Sequence, residues 1–226
     1  LPVQILLTMI GWRSIFLLIS ILILLSIILI LVFTPSWNNN PKNTITQDKG
    51  NLSDVWKNKF FISLIPLCFL NYGGVQAVQT LWAGPWMLNV AGYSPLDSAT
   101  GLFWINITML FAFMFWGYIL PKFSSLGIDS IKIVKIGLPI SYVVLFSIII
   151  MGQNAGAIMF TLYILSSIVL SLTQPALALS FPQNLAGKSL TSINVFIHSG
   201  TFFVQWGIGL LIDLSKKYFS RFFDQT

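Results

Sequence analysis

Six apolar stretches recur along the chain, at roughly 13–33, 59–82, 98–119, 131–151, 157–178 and 191–213. Each is close to the ~20 residues a helix needs to cross hydrocarbon, so the pattern predicts an all-α integral membrane protein with six transmembrane helices. The stretches differ in where they carry polarity. The first, and the fourth beyond Lys135, are largely apolar on every face, and each is followed by two stretches that carry polar stripes. The few serines of the first can bond to the helix's own carbonyls. The first and fourth spans, the latter with Tyr142 as its one sizeable polar group, are therefore expected to be peripheral supports.

In the remaining four spans the polar residues recur at helical spacing. On the last, Asn194, His198, Thr201 and Gln205 fall within about 60° of one another at 100° per residue. Tyr163, Ser167, Ser171 and Gln174 form a similar stripe on the fifth span, and Tyr72, Gln76 and Gln79 form one on the second. The third span offers Trp104 and Thr108 one turn apart, with Asn106 off that line. Interhelical hydrogen bonding explains any one stripe. Four in one chain favour a shared polar cavity, because polar groups are costly in lipid.

The candidate solute contacts are therefore Tyr72, Gln76, Gln79, Trp104, Asn106, Thr108, Tyr163, Gln174, Asn194, His198 and Gln205. No Asp or Glu falls within a span, which leaves no intramembrane carboxylate to carry a coupling proton. His198 is the side chain there of a type that titrates near neutrality. It offers a site for a proton or an anionic solute group, or else a neutral imidazole bonded to a neighbouring helix.

Composition supports the membrane reading. Apolar residues make up 56% and charged residues 8% of 226 residues, with mean hydropathy +0.84, whereas about a quarter of a soluble domain is charged. The net charge of +6 does not indicate a nucleic-acid partner, because the twelve basic residues are scattered among loops. They report topology instead. The linker 34–58 and the loops holding Lys122, Lys132, Lys135 and Lys188 are expected on the cytoplasmic side. Cys68 is the single cysteine, so neither a disulfide nor a multi-cysteine metal site is available. No nucleophile, base and orienting acid can be placed together, and no Walker-type loop occurs, so enzyme chemistry, a metal and a cofactor are not expected.

Local signals refine the boundaries. Ser53 and Asp54 can cap a short amphipathic helix ahead of the second span, and Ser94-Pro-Leu-Asp97 predicts that the third starts near Pro95. Trp82, Trp86 and Tyr93 sit beside the outer end, where aromatic rings favour the membrane interface. Gly73, Gly74 and Gly200 permit bends or close helix approach.

Several segments together resemble the major facilitator superfamily: Gly11-Trp-Arg-Ser-Ile-Phe before the first span, Leu81-Trp-Ala-Gly-Pro-Trp-Met-Leu after the second, and Phe181-Pro-Gln-Asn-Leu-Ala-Gly-Lys-Ser-Leu-Thr-Ser-Ile-Asn before the last. Gln205-Trp-Gly-Ile-Gly-Leu-Leu-Ile-Asp is similar to the corresponding end in bacterial members. The resemblance implies the sixth to eleventh helices of a twelve-helix transporter, an incomplete C-terminal half of that fold, in which every third helix is peripheral. Residues 1–33 would then hold the end of a preceding helix and a peripheral span, 34–58 a cytoplasmic linker between halves, 59–213 five helices of the half-bundle, and 214–226 a polar tail. One motif departs from the family pattern: Gly117 and Lys122 match its cytoplasmic charge motif, while Pro121 stands where an acid is expected.

The resemblance implies secondary transport of a small polar or anionic solute by alternating access, which needs two halves. A longer parent, or a second chain supplying the missing helices, would complete it. The bilayer and a small-molecule solute are the expected partners, and a bacterial inner membrane the expected location. A truncated, nontransporting remnant or interaction subunit is the alternative.

Overall fold

A computed structural model describes residues 2–34 and 50–223, without the side chains of 2, 4 and 218–223. The expected linker falls outside the described residues from 35 to 49. Contacts divide the chain into two units, Leu1–Asp48 and Lys49–Thr226. Among the described residues there are helices and no strands, and six helices are long and apolar enough to cross a membrane.

The first unit holds α1, Pro2–Phe33. Its path breaks at Gly11, whose φ of 74° and ψ of 164° lie outside the helical region. A side chain rarely adopts that φ, so glycine suits the break. Beyond it, the Ser20 and Ser26 hydroxyls donate to the carbonyls of Phe16 and Leu22, both at 2.8 Å, closing the serines onto the helix as the sequence implied. The rest of that span presents exposed Ile, Leu and Phe.

The second unit begins with α2, Leu52–Lys57. Its cap is Asn51, not the expected Ser53: the Asn51 side chain accepts from the Ser53 amide, and Asp54 Oδ2 accepts from the Asn51 amide at 3.1 Å. Asp54 thus closes a capping box from the third helical position. Asn58 caps the next helix in turn, its Oδ1 accepting from the amides of Phe60 and Phe61 at 2.9 and 3.1 Å.

Five long helices come next: α3 over Lys59–Asn89, α4 over Pro95–Ser125, α5 over Ser130–Met151, α6 over Ala157–Leu179 and α7 over Gln183–Phe223. The Ser94 hydroxyl caps α4 by accepting from the Asp97 amide, with Pro95 at the first helical position. Both α4 and α7 overrun the stretches that hydrophobicity alone marked. Helix α7, 41 residues long, measures about 60 Å against a hydrocarbon core of about 30 Å. It includes Lys188, expected in a loop, and the start of the expected polar tail.

Packing is centred on α6, half of whose spanning window is buried. Helix α5 packs against it with Val134, Ser141 and Ile148, buried residues spaced seven apart, while Ile136, Ile140, Val143, Phe146 and Ile150 remain exposed on other faces. In a bilayer those exposed faces meet lipid, and helix association depends on close packing rather than on exclusion of water.

Two large apolar clusters hold the bundle, beside a smaller one of Val134, Leu170 and Leu172. One joins Val55, Phe61, Leu64 and Cys68 to Leu177, Leu185, Ile193 and Ile197. Trp56, Phe61 and Phe196 meet edge to face there at 5.6 to 6.4 Å between ring centroids. The other joins Ala83 and Met87 to Ile105, Ile148, Phe160, Tyr163 and Ile164. Along α3, residues 72–79 lie between the segments that feed these two clusters.

The outer aromatic residues are less lipid-directed than expected. Trp86 Nε1 donates to the Ala155 carbonyl at 3.1 Å, and the Tyr93 hydroxyl accepts from the Ala157 amide at 3.3 Å. The turn between α5 and α6 has backbone groups without helical partners that these rings satisfy, so the pair fastens two connections together.

Candidate functional site

Helical winding changes where α3 and α6 carry polarity. Helix α3 widens to π-type turns over Leu67–Tyr72 and Val78–Trp82, and α6 tightens to 3₁₀ over Ile168–Leu172. Proline accounts for two of these segments. Pro85 has no N–H for the carbonyl of Leu81, and Pro175 has none for that of Ser171, so regular winding is broken one turn earlier. Irregular backbone at membrane depth is tolerated where protein or a wet cavity surrounds it. π-Type turns are frequent at functional sites.

Between these segments lies a cavity of about 160 Å³. Tyr72, Gln76 and Gln79 line it from α3, Met109 and Phe113 from α4, and Ser167 and Ser171 from α6. A second, more open cavity of about 510 Å³ shares Tyr72, Phe113 and Ser171 with the first and adds Trp116, Gly117 and Gln174. The stripes expected on the second and fifth spans are thus brought face to face.

The third span contributes a different face from the one expected. Trp104 is 57% exposed and, among the described residues, stacks edge to face with its neighbour Phe103 at 5.6 Å, and Thr108 lines neither cavity. The lining face runs through Met109, Phe113 and Trp116, while Asn106, exposed and on neither cavity, is joined to it through Gln79. Gln79 Nε2 donates to Asn106 Oδ1 at 3.2 Å and to Met109 Sδ at 3.1 Å. Asn106 in turn donates to the Leu102 carbonyl at 2.7 Å. Met109, Phe113 and Trp116 were missed because an apolar residue carries no polarity signal. Their three-four-three spacing from Asn106 was the available clue.

The polar stripe of the last span mostly joins helices. Gln205 Nε2 donates to Thr80 Oγ1 at 3.0 Å, and the Thr80 hydroxyl donates to the Gln76 carbonyl at 2.7 Å. The Thr201 hydroxyl has Ile197 O at 2.9 Å and Gln76 Oε1 at 3.1 Å, so one hydrogen serves two acceptors. Gln174 Nε2 donates to Asn194 Oδ1 over a long 3.5 Å. His198 is exposed and makes no hydrogen bond among the described residues, so the bond to a neighbouring helix entertained for it does not form. Tyr163 is 5% exposed and belongs to an apolar cluster.

Ser167 is the exception on α6. Thr161, Ser166, Ser171 and Thr173 each donate to a carbonyl three or four residues back, at 2.7 to 2.9 Å. Ser166 takes the Tyr163 carbonyl, one of the two within reach of Ser167. The Ser167 hydroxyl finds no carbonyl and instead pairs with the neighbouring Tyr163 hydroxyl, buried at the edge of the cavity.

These amides, hydroxyls and aromatic rings can bind and orient a polar molecule. Among known protein families, the model for the Major Facilitator Superfamily fits residues 2–205. No curated protein and no solved structure matches the chain.

Proposed function

The chain belongs to the major facilitator superfamily, a family of secondary transmembrane transporters, and from that premise we propose that it binds a small polar or anionic solute in the cavity between α3, α4 and α6. The observation that carries this reading is the coincidence of polar side chains with broken helical winding. Tyr72, Gln76 and Gln79 flank the irregular turns of α3, and Ser167 and Ser171 lie at those of α6. Transporters of several folds place binding sites where spanning helices are interrupted near the bilayer midplane.

On the same reading, the six spans are the sixth to eleventh helices of a twelve-helix parent in a bacterial inner membrane. The remaining helices come from that parent or from a second chain. Asn194, Thr201 and Gln205 then serve α7 by fastening it to α3 and α6, and His198 is left for a solute or a proton arriving from the uncovered side.

The test is uptake of a panel of labelled small polar solutes by vesicles containing the parent protein, against vesicles without it. Accumulation of at least one solute, lost when Gln76 and Gln79 are both replaced by Ala, is the expected result. Uptake equal to that of the control vesicles for every solute would contradict transport and favour a nontransporting membrane subunit.

A further inference from the structure

We propose that Asn106, which lines neither cavity, is a positioning residue that fixes the polarity of Gln79, so that Gln79 offers the cavity its carbonyl oxygen and receives a donor group of the solute there. This deepens the transport reading and rests on it for the presence of a solute. The relay starts at the backbone of α4. The Leu102 carbonyl only accepts, so the Asn106 amide atom 2.7 Å from it is the nitrogen. That bond leaves Asn106 Oδ1 for α3. An amide oxygen there also only accepts, so Gln79 must meet it with its own nitrogen, and Gln79 Nε2 lies 3.2 Å away. Met109 Sδ, a weak acceptor at 3.1 Å, takes the second hydrogen. With both hydrogens engaged, Oε1 is the hydrogen-bonding group that Gln79 has left, and Gln79 lines the cavity.

Gln76, one turn earlier, is held differently. Its neighbour at 3.1 Å is the Thr201 hydroxyl, a group that can donate or accept. Thr201 therefore holds the Gln76 amide in place without deciding which end it presents. Gln79 has no such freedom. Turned over, it would set oxygen against oxygen at Asn106 and forfeit the bonds to Asn106 and Met109, a loss that a low local dielectric makes larger. A solute group that only accepts finds no partner at Gln79, whereas a hydroxyl, an ammonium or an amide N–H does. The side chain that imposes this choice stands on an exposed face of α4, one helix away from the glutamine it sets. Leu102, Asn106, Met109 and Gln79 complete the relay among themselves.

The experiment is NMR of the purified protein in detergent with isotope-labelled glutamine side chains, the Gln79 signals being identified by their loss in Gln79→Met. Hydrogen exchange at Gln79 Nε2 should quicken by about fivefold or more in Asn106→Leu, the worth of one hydrogen bond. It should stay near the parent's in Asn106→Asp, which keeps an oxygen facing Gln79. Asn106 is exposed, so both variants are expected to fold. Acetamide and N,N-dimethylacetamide then serve as probes that share an acceptor and differ in their N–H donors. Acetamide should shift the Gln79 Cδ signal saturably, with dimethylacetamide weaker by about fivefold or more. That preference should fade in Asn106→Leu and return in Asn106→Asp. A merely structural Asn106 would lower the thermal midpoint of Asn106→Leu and move neither reading. Unchanged exchange in Asn106→Leu, equal quickening in Asn106→Asp, or a Gln79 signal that answers both probes equally or neither would overturn the proposal. Vesicle uptake separates the two readings. The relay without uptake would retain this inference and remove transport, whereas uptake without the relay would do the reverse.

Discussion

Thr201 Oγ1 lies 3.1 Å from Gln76 Oε1, one residue along from a point where the backbones of α3 and α7 touch. At that point Gly200 rests against the Phe69 carbonyl, and a Cβ on Gly73 would stand 2.7 Å from the backbone of Gly200 and Thr201. A cavity side chain and the closest helix crossing around it are therefore linked through a single amide.

Gly200→Ala should be severely destabilising, by about 3 kcal/mol or more, because the added methyl meets backbone atoms that no rotamer change can move. Gly74→Ala, one residue from Gly73 but with open space at its Cβ, should be neutral or stabilising by up to about 1 kcal/mol through helix propensity. Thermal midpoints in detergent check the pair. Equal loss in both would remove the crossing as the cause.

Thr201→Val should cost little, about 0.6 kcal/mol, the usual worth of an interhelical hydrogen bond in a membrane protein. The effect belongs in solute affinity as well, because Gln76 loses the neighbour that fixes its amide. A double-mutant cycle with Gln76→Ala measures the coupling, which is expected to be positive and below about 2 kcal/mol.

Trp86→Phe keeps an aromatic ring but deletes part of the indole and with it the N–H that serves Ala155, a residue with no exposed surface. The carbonyl is left without that donor, at a cost of about 1–3 kcal/mol. Faster hydrogen exchange in the α5–α6 turn, Gly152 to Gly156, is the expected signature.

Asn51→Ala removes the capping box of α2, and Asn58→Ala removes the acceptor for two amides at the start of α3. Each should cost about 1 kcal/mol. The first should loosen only Leu52–Lys57 in exchange measurements, while the second should reach Phe61 and the apolar cluster it anchors.

The spans and two of the cavity faces were legible because polarity inside a membrane is expensive and therefore informative. Tyr72, Gln76 and Gln79 stand on one helical line, as do Ser167, Ser171 and Gln174, and each line meets the cavity. The same signal misled on α4. Polarity there drew attention to Trp104 and Thr108, while the lining face is carried by Met109, Phe113 and Trp116, whose apolar side chains resemble lipid-facing ones and are marked only by their spacing from Asn106. His198 and Gln205 share a stripe, yet only Gln205 finds a neighbour on α3, because spacing fixes direction around a helix and says nothing of what lies opposite. Ser167 could be placed on its stripe, but its pairing with the Tyr163 hydroxyl became visible only once Ser166 was seen to occupy the Tyr163 carbonyl. The irregular winding of α3 and α6 likewise follows from Pro85 and Pro175 only in part, since proline marks where a helix is disturbed and not how the disturbance is resolved.

The central claim is that the neutral stripes of α3 and α6 enclose a solute-accessible cavity, and reactivity of a single cysteine at Ser171 tests it most directly. Ser171 borders both cavities, whereas the native Cys68 is 1% exposed within an apolar cluster. In a Cys68→Ser background, Ser171→Cys is predicted to react with a small, membrane-impermeant thiol reagent while the parent protein's Cys68 does not. A Ser171→Cys thiol as inert as Cys68 would contradict the account.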